Sequence, residues 1–489
     1  MAIRTVSCAL AALLVLVTGV LPAHATQAKG RAADTELERR LLDASIGVEG
    51  AMGADLALKL LELGHIRNRS LRREACRVAR ARIADASEAL PLQMALGFGE
   101  NREVERAGAL SWFRVDALSL RCRLARQLLE IDRREARELL LELPPGINVP
   151  ETGCEDILIP NAGVFYATLG DVLAGSLTAS ERRQGLEWEM ARRYVGALRT
   201  PLEIAPACKL VMSTGARAGE LESAAAELTS AISRMRGSPR ALLVMTDQKS
   251  TGVAIAGLLD AVRGSESTHR QLREALRGLV VRSLEGPRCA DLAPDTTGLI
   301  MDYFNEEVLS GHPVVVGELQ SPPLGDRGKE HPLYASAKSQ RMLDGLKNLN
   351  AAHRRLEPGA DRTEWIRSFD EYVTELRSWN AVEARSDSDF VSEKTPTVSM
   401  LIELAPDGSR RMEVVRDFAS VVRHANTAGT PEYVPLAMAL YVVCKLEGTE
   451  RRAILEMFKA SGSGTLGVYA ALQLEGVDVF GAGAAPATP

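Results

Sequence analysis

Capped amphipathic helical patterns joined by very short turns recur along this chain and constrain its fold more than any other feature. Residues 121–144, RCRLARQLLEIDRREARELLLELP, show the unit. Leu124, Ala125, Leu128 and Leu129 recur at three- and four-residue intervals, which sets them on one helical face and turns Arg123, Arg126 and Glu130 towards water. Asp132 can then accept from the open backbone N–H groups of a second helix, and Glu135 stands at the return position of a capping box. Ala136, Leu139, Leu140 and Leu143 form the second stripe, and Pro144 with Pro145 prevent its continuation. So short a connection folds the two helices antiparallel.

Similar start signals stand at Thr178 with Glu181, Thr200 with Glu203 around Pro201, Thr268 with Gln271, and Asp361 with Glu364. Gly64, Gly286 and Gly448 supply stops, and together these signals predict on the order of fifteen helices of ordinary length. The hairpin returns at 435–458, PLAMALYVVCKLEGTERRAILEMF, with Gly448 as stop and Thr449 as cap. Strand character is confined to PVVVGEL, 313–319, and one strand makes no sheet. The expected fold class is all-α: an irregular array of antiparallel helical hairpins, either solenoid-like or closed into a compact multi-helix bundle.

LARQLLEIDRREARELLLELP resembles one repeat of the tetratricopeptide and HEAT-like class of α-helical repeat proteins, and the chain is also similar to secreted helical proteins of bacteria. The repeat resemblance implies extended grooves between hairpins and a protein or peptide partner.

The amino terminus carries a second strong signal. MAIRTVSCALAALLVLVTGVLPAHA has a positive start at Arg4, an apolar run from Val6 to Leu21, and Ala23 and Ala25 at the spacing of a cleavage site. Residues 1–25 therefore read as a signal peptide, and the mature protein as periplasmic or extracellular. The apolar run falls short of the roughly 20 residues of a spanning helix, and no later segment is apolar enough, so no membrane span is expected after cleavage. A helical domain is expected over 34–310 and a second over 338–475. Between them lies a Pro/Gly-rich loop or linker, 311–337, and a flexible tail covers 476–489.

Of the seven cysteines, processing removes Cys8. Cys76, Cys122, Cys208 and Cys444 sit within helical patterns, where a thiol is a small buried apolar group. Cys154 and Cys289 sit in turn-rich connections and form the candidate disulfide of an oxidising compartment.

The 59 basic and 64 acidic residues are interleaved along helices, which makes a solvated surface and argues against nucleic acid. Aromatics at 4% provide no stacking platforms. His65, His269, His312, His331, His353 and His424 never fall three or four apart, and CxxC and HExxH are absent, so no metal or cofactor is expected. KASGSGTLG, 459–467, follows a helical pattern and reads as a linker, while Asp387 and Asp389 in SDSD lack the rest of a calcium loop. No catalytic residue is assigned, because the adjacent acids Glu306-Glu307 and Asp370-Glu371 point about 100° apart on a helix. The candidate functional loop carries His312, Glu318, Asp326, Arg327, His331 and Tyr334. The expected function is an exported, non-enzymatic binding or scaffolding protein. The alternative is a secreted (α/α)-type hydrolase or lyase of an extracellular or envelope polymer, with acids from separate helices.

Overall fold

The computed structural model describes residues 34–85, 93–95, 117–143, 158–160, 162–247, 249–285, 296–315, 319, 337–356, 361–380, 387–427, 436, 439, 442–460 and 464–479. The fold is all-α, with 20 helices among the described residues. The first set holds α1 (34–46), α2 (Gly50–Glu62), α3 (Arg69–Asp85), α4 (Ala117–Leu129), α5 (Arg133–Leu141), α6 (Ala162–Ser176) and α7 (Ala179–Arg183). It continues through α8 (Leu186–Val195), α9 (Ile204–Ser213), α10 (Ala218–Arg234), α11 (Pro239–Asp247), α12 (Lys249–Ala261), α13 (Glu266–Glu285) and α14 (Thr296–Glu307). The second set is α15 (Ala337–Arg354), α16 (Thr363–Ser378), α17 (Asp387–Leu404), α18 (Gly408–Thr427), α19 (Gly448–Ala460) and α20 (Gly464–Leu474).

The hairpin α4–α5 forms as its residues dictate. Both N–H groups of Arg134 and Glu135 donate to the Asp132 carboxylate at 3.1 Å, and Ala136, Leu139 and Leu140 are buried. The far end of α5 has its carbonyls satisfied from another repeat: the Tyr194 hydroxyl of α8 donates to Leu140 O at 3.0 Å and to Leu143 O at 3.2 Å. Thr178 and Glu181 form a reciprocal capping box at α7. Glu203 accepts from the backbone N–H groups of Arg199 and Thr200 before α9.

Hairpins stack in two layers. Packing of α2 on α4, α4 on α6, α6 on α9 and α9 on α12 makes one layer; α8 on α10 and α10 on α13 continue the other. Arginine–carboxylate pairs stitch repeat to repeat: Arg39 to Glu74, Arg80 to Glu135 and Glu142, Arg137 to Glu181, and Arg192 to Glu227. The second set repeats the device with Arg377 to Glu413, Arg410 to Asp370 and Arg411 to Glu450. One continuous apolar core runs through both sets.

Several local expectations shift. PVVVGEL does not form a strand over its described residues 313–315; Val314 is buried, and the Asn305 side-chain amide both donates to its carbonyl and accepts from its N–H. A single side chain thereby satisfies the backbone that a neighbouring strand would otherwise pair. Among the described residues, strand pairing is a three-residue antiparallel match of Gln93–Ala95 with Leu158–Pro160. Helix α13 starts at Glu266, ahead of the expected Thr268 cap, and the Ser265 hydroxyl donates to that of Thr268. Gly448, at φ +49°, opens α19, so Thr449 lies inside the first turn. Val477 and Val479, assigned to the tail, are buried.

Candidate functional site

The most concentrated chemistry lies where α2 and α4 meet α20. Helix α2, GAMGADLALKLLE, is buried on nearly every side, and Asp55 sits in its middle with no exposed surface. Its carboxylate accepts three bonds from three helices. Lys59, one turn along α2, reaches it at 2.8 Å, Arg123 Nη1 of α4 at 2.5 Å, and the Tyr469 hydroxyl of α20 at 2.5 Å across 414 positions of sequence. Arg123 also grips Glu62 in a two-pronged bond of 2.8 and 2.9 Å. The Lys59 ammonium lies 5.2 Å from the Tyr469 ring centroid. Two cations thus face two carboxylates, and the cluster is neutral as a unit. Nearby, Arg40 of α1 pairs with Glu475, just past α20, at 3.4 Å.

Burial alone would raise the Asp55 pKa, but Lys59 and Arg123, with the bonds from Lys59 and Tyr469, hold it below the ordinary carboxylate value. Burial lowers Lys59, partly offset by Asp55. Burial and then Asp55 push the Tyr469 phenol well above its usual value. A carboxylate that already accepts from three donors and binds its proton weakly is a poor general base. The cluster's chemistry is attachment of one helix to another.

Arg123 departs from expectation. Its side chain, assigned to water by the helical wheel, is only 11% exposed. Asp55 and Tyr469 were also missed; the available signal was an acid four residues before Lys59 inside an otherwise apolar helix.

Two other buried polar groups are structural in their bonding. Tyr166 donates to Glu203 at 3.1 Å. Lys394 of α17 donates to Trp379 O at 3.0 Å, with its ammonium 5.0 Å from the Phe390 ring centroid. Burial brings that amine down to about 8.

Within the candidate loop, His312 is exposed and its N–H donates to Leu309 O at 2.8 Å. Glu318, Asp326, Arg327, His331 and Tyr334 lie outside the described residues, as do Cys154, Cys289 and the signal segment 1–25. Glu306 and Glu307 are exposed on α14, while Asp370 pairs with Arg410 and Glu371 with Arg367. Cys76 and Cys208 are buried free thiols that burial raises to about 12, and Cys122 is buried as well. Cys444 is free and half-buried. Among the described residues, no group of three or more His, Cys, Asp or Glu side chains could hold a metal ion, and no helix is long and apolar enough to cross a membrane.

A second feature lies on the surface of α9, α12 and α14. Lys209 of α9 bonds Ser250 of α12 at 2.9 Å, and exposed Met212 and Val253 each follow by three residues on the same helical faces. The Tyr303 hydroxyl of α14 accepts from the Gly252 N–H at 2.9 Å, and exposed Leu299 lies one turn before Tyr303. Val253 is 69% exposed and Leu299 54%. Helix α14 also exposes Asp302, Glu306 and Glu307.

No family model and no curated protein matches this sequence. Among solved structures, the NOT1 superfamily homology domain from Chaetomium thermophilum is similar at 12% identity, over 92% of this chain and 99% of that one, with a TM-score of 0.16.

Proposed function

We propose that this protein is an exported, non-enzymatic docking scaffold that holds an apolar-faced, basic helical segment of a partner protein against α9, α12 and α14. The observation that carries the reading is that exposed Met212, Val253 and Leu299 stand on helices in contact, α9 with α12 and α12 with α14, and that α14 also exposes Asp302, Glu306 and Glu307. Large aliphatic side chains on successive, touching helices offer anchors for an amphipathic helix, and the acidic side chains of α14 select a basic polar face. In the other layer, α13 exposes Glu266, Arg270 and Glu274, a face of mixed charge.

The test uses the full mature chain and two labelled helical peptides with identical leucine stripes, one with lysines on its polar face and one with glutamates. Tight binding of the lysine peptide, weakened about tenfold or more by Val253→Asp with Leu299→Asp, is expected, in line with burial of two anchors. Equal binding of both peptides, or indifference to the double substitution, would refute the reading. Export is checked separately by mass spectrometry of the protein from its native host, where processing next to Ala25 is expected.

A further inference from the structure

We infer that the contact between α2 and α20 is a polar latch between early and late helices of the array, one that opens ahead of the rest of the fold. The inference is independent of the docking surface. Within each set, neighbours such as α2 and α3, α10 and α13, or α19 and α20 pack along extended faces. Between the sets, α20 is fastened to α2 by the Tyr469 hydroxyl, which lies 2.5 Å from Asp55 and 3.4 Å from Met52 O, and by the Lys59 ammonium over the Tyr469 ring. The exposed Arg40–Glu475 pair lies beside it. In sequence, the two sets are joined between other helices, from Glu307 at the end of α14 to Ala337 at the start of α15.

The chemistry of the fastening favours reversibility. Asp55, which has no exposed surface, gives up hydration to accept the Tyr469 hydroxyl, and release of Tyr469 returns part of it. An apolar contact of equal size recovers nothing on opening, because its surfaces meet water unfavourably. A buried polar contact of this kind therefore specifies register while leaving the open state close in free energy. Arg123 stays with Glu62 and Asp55 stays with Lys59 when Tyr469 leaves, so α2 and α4 keep their own pairing. The element that moves is α20, with the second set behind it.

Native-state hydrogen exchange on the full chain tests the latch. In the wild type, amides of α20 and of α2 around Asp55 should exchange through an opening at least about tenfold more populated than that protecting α10 and α13. Tyr469→Phe, which keeps the ring and removes the hydroxyl, should raise exchange at α2 and α20 by roughly 10- to 100-fold, the worth of one bond to a charged group, and leave α10 and α13 unchanged. Protection of α20 in the wild type equal to that of α10 and α13 would overturn the inference, whatever the variant does. So would a Tyr469→Phe effect spread evenly over all helices, or none at α2 and α20.

Discussion

Asp55 and Lys394 show how differently a buried charge behaves with and without partners. Asp55 has Lys59, Arg123 and Tyr469 around it and keeps its charge at low proton affinity. Lys394 has a carbonyl and two aromatic rings near it, and burial lowers its pKa from 10.5 to about 8, with Asp417 opposing the shift and Lys338 adding to it. Its linkage to stability follows from the sign. Between these two values the unfolded chain holds a proton that the folded chain does not, so stability rises with pH across the interval and is penalised below it. Lys394→Met removes the penalty and leaves a side chain of similar length. The expected result is stabilisation by about 2–3 kcal/mol at pH 7, shrinking as the pH passes 8, measured by urea unfolding in a pH series. A variant less stable than wild type at pH 7 would show that the bond to Trp379 O outweighs burial of the charge.

At the scale of elements, the repeating unit is a hairpin whose turn is held by one carboxylate. Asp132 accepts both N–H groups at the head of α5, and the stripe behind it is buried. Asp132→Ala is expected to cost about 1 kcal/mol, and Asp132→Asn a small fraction of that, read from the urea midpoint at unchanged slope. Hairpins join through ion pairs between helices rather than within them, such as Arg80 to Glu135 and Arg377 to Glu413. Exposed pairs of this kind add little stability each, but their repetition holds adjacent hairpins in register. Helices are also more finely divided than the periodic pattern suggests. Gln184 and Gly185, at φ +81°, separate α7 from α8 within what reads as one apolar-periodic stretch. A single residue in the left-handed region breaks the helix without interrupting the apolar count.

In the whole molecule, α1 and α2 meet α20 and the residues just past it. Arg40 and Glu475 touch, α20 lies on α2, and the array runs from the second set into the first through space rather than through the backbone. A circular permutant is expected to tolerate this well: residue 479 joined to residue 34 by a short flexible linker, with new ends opened between 316 and 336. Its thermal midpoint should fall within about 5 °C of the parent's by differential scanning calorimetry, since termini close in space permit such rearrangement. A permutant that fails to fold cooperatively would show that the Glu307-to-Ala337 connection, and not the junction of α2 with α20, holds the sets together.

Element type and the hairpin device were legible in the sequence because their causes are local. Asp132 acts on residues two and three positions away, and the stripes Leu124–Leu128 and Leu139–Leu140 are set by helical periodicity alone. The limits of such reading are physical too. Helical periodicity places Arg123 on the outer face of α4, yet α2 delivers Asp55 and Glu62 to that face and encloses it. PVVVGEL has strand-forming residues, but Asn305, nine positions before Val314, supplies the hydrogen bonds a second strand would have made. Exposed Met212, Val253 and Leu299 stand on helices in contact only because α9 packs on α12 and α12 on α14. Tertiary structure alone decided that Tyr469 would close on Asp55. The energy of that contact depends on a buried geometry shared by three helices and 414 positions of chain, and no stretch of sequence short enough to show periodicity contains it.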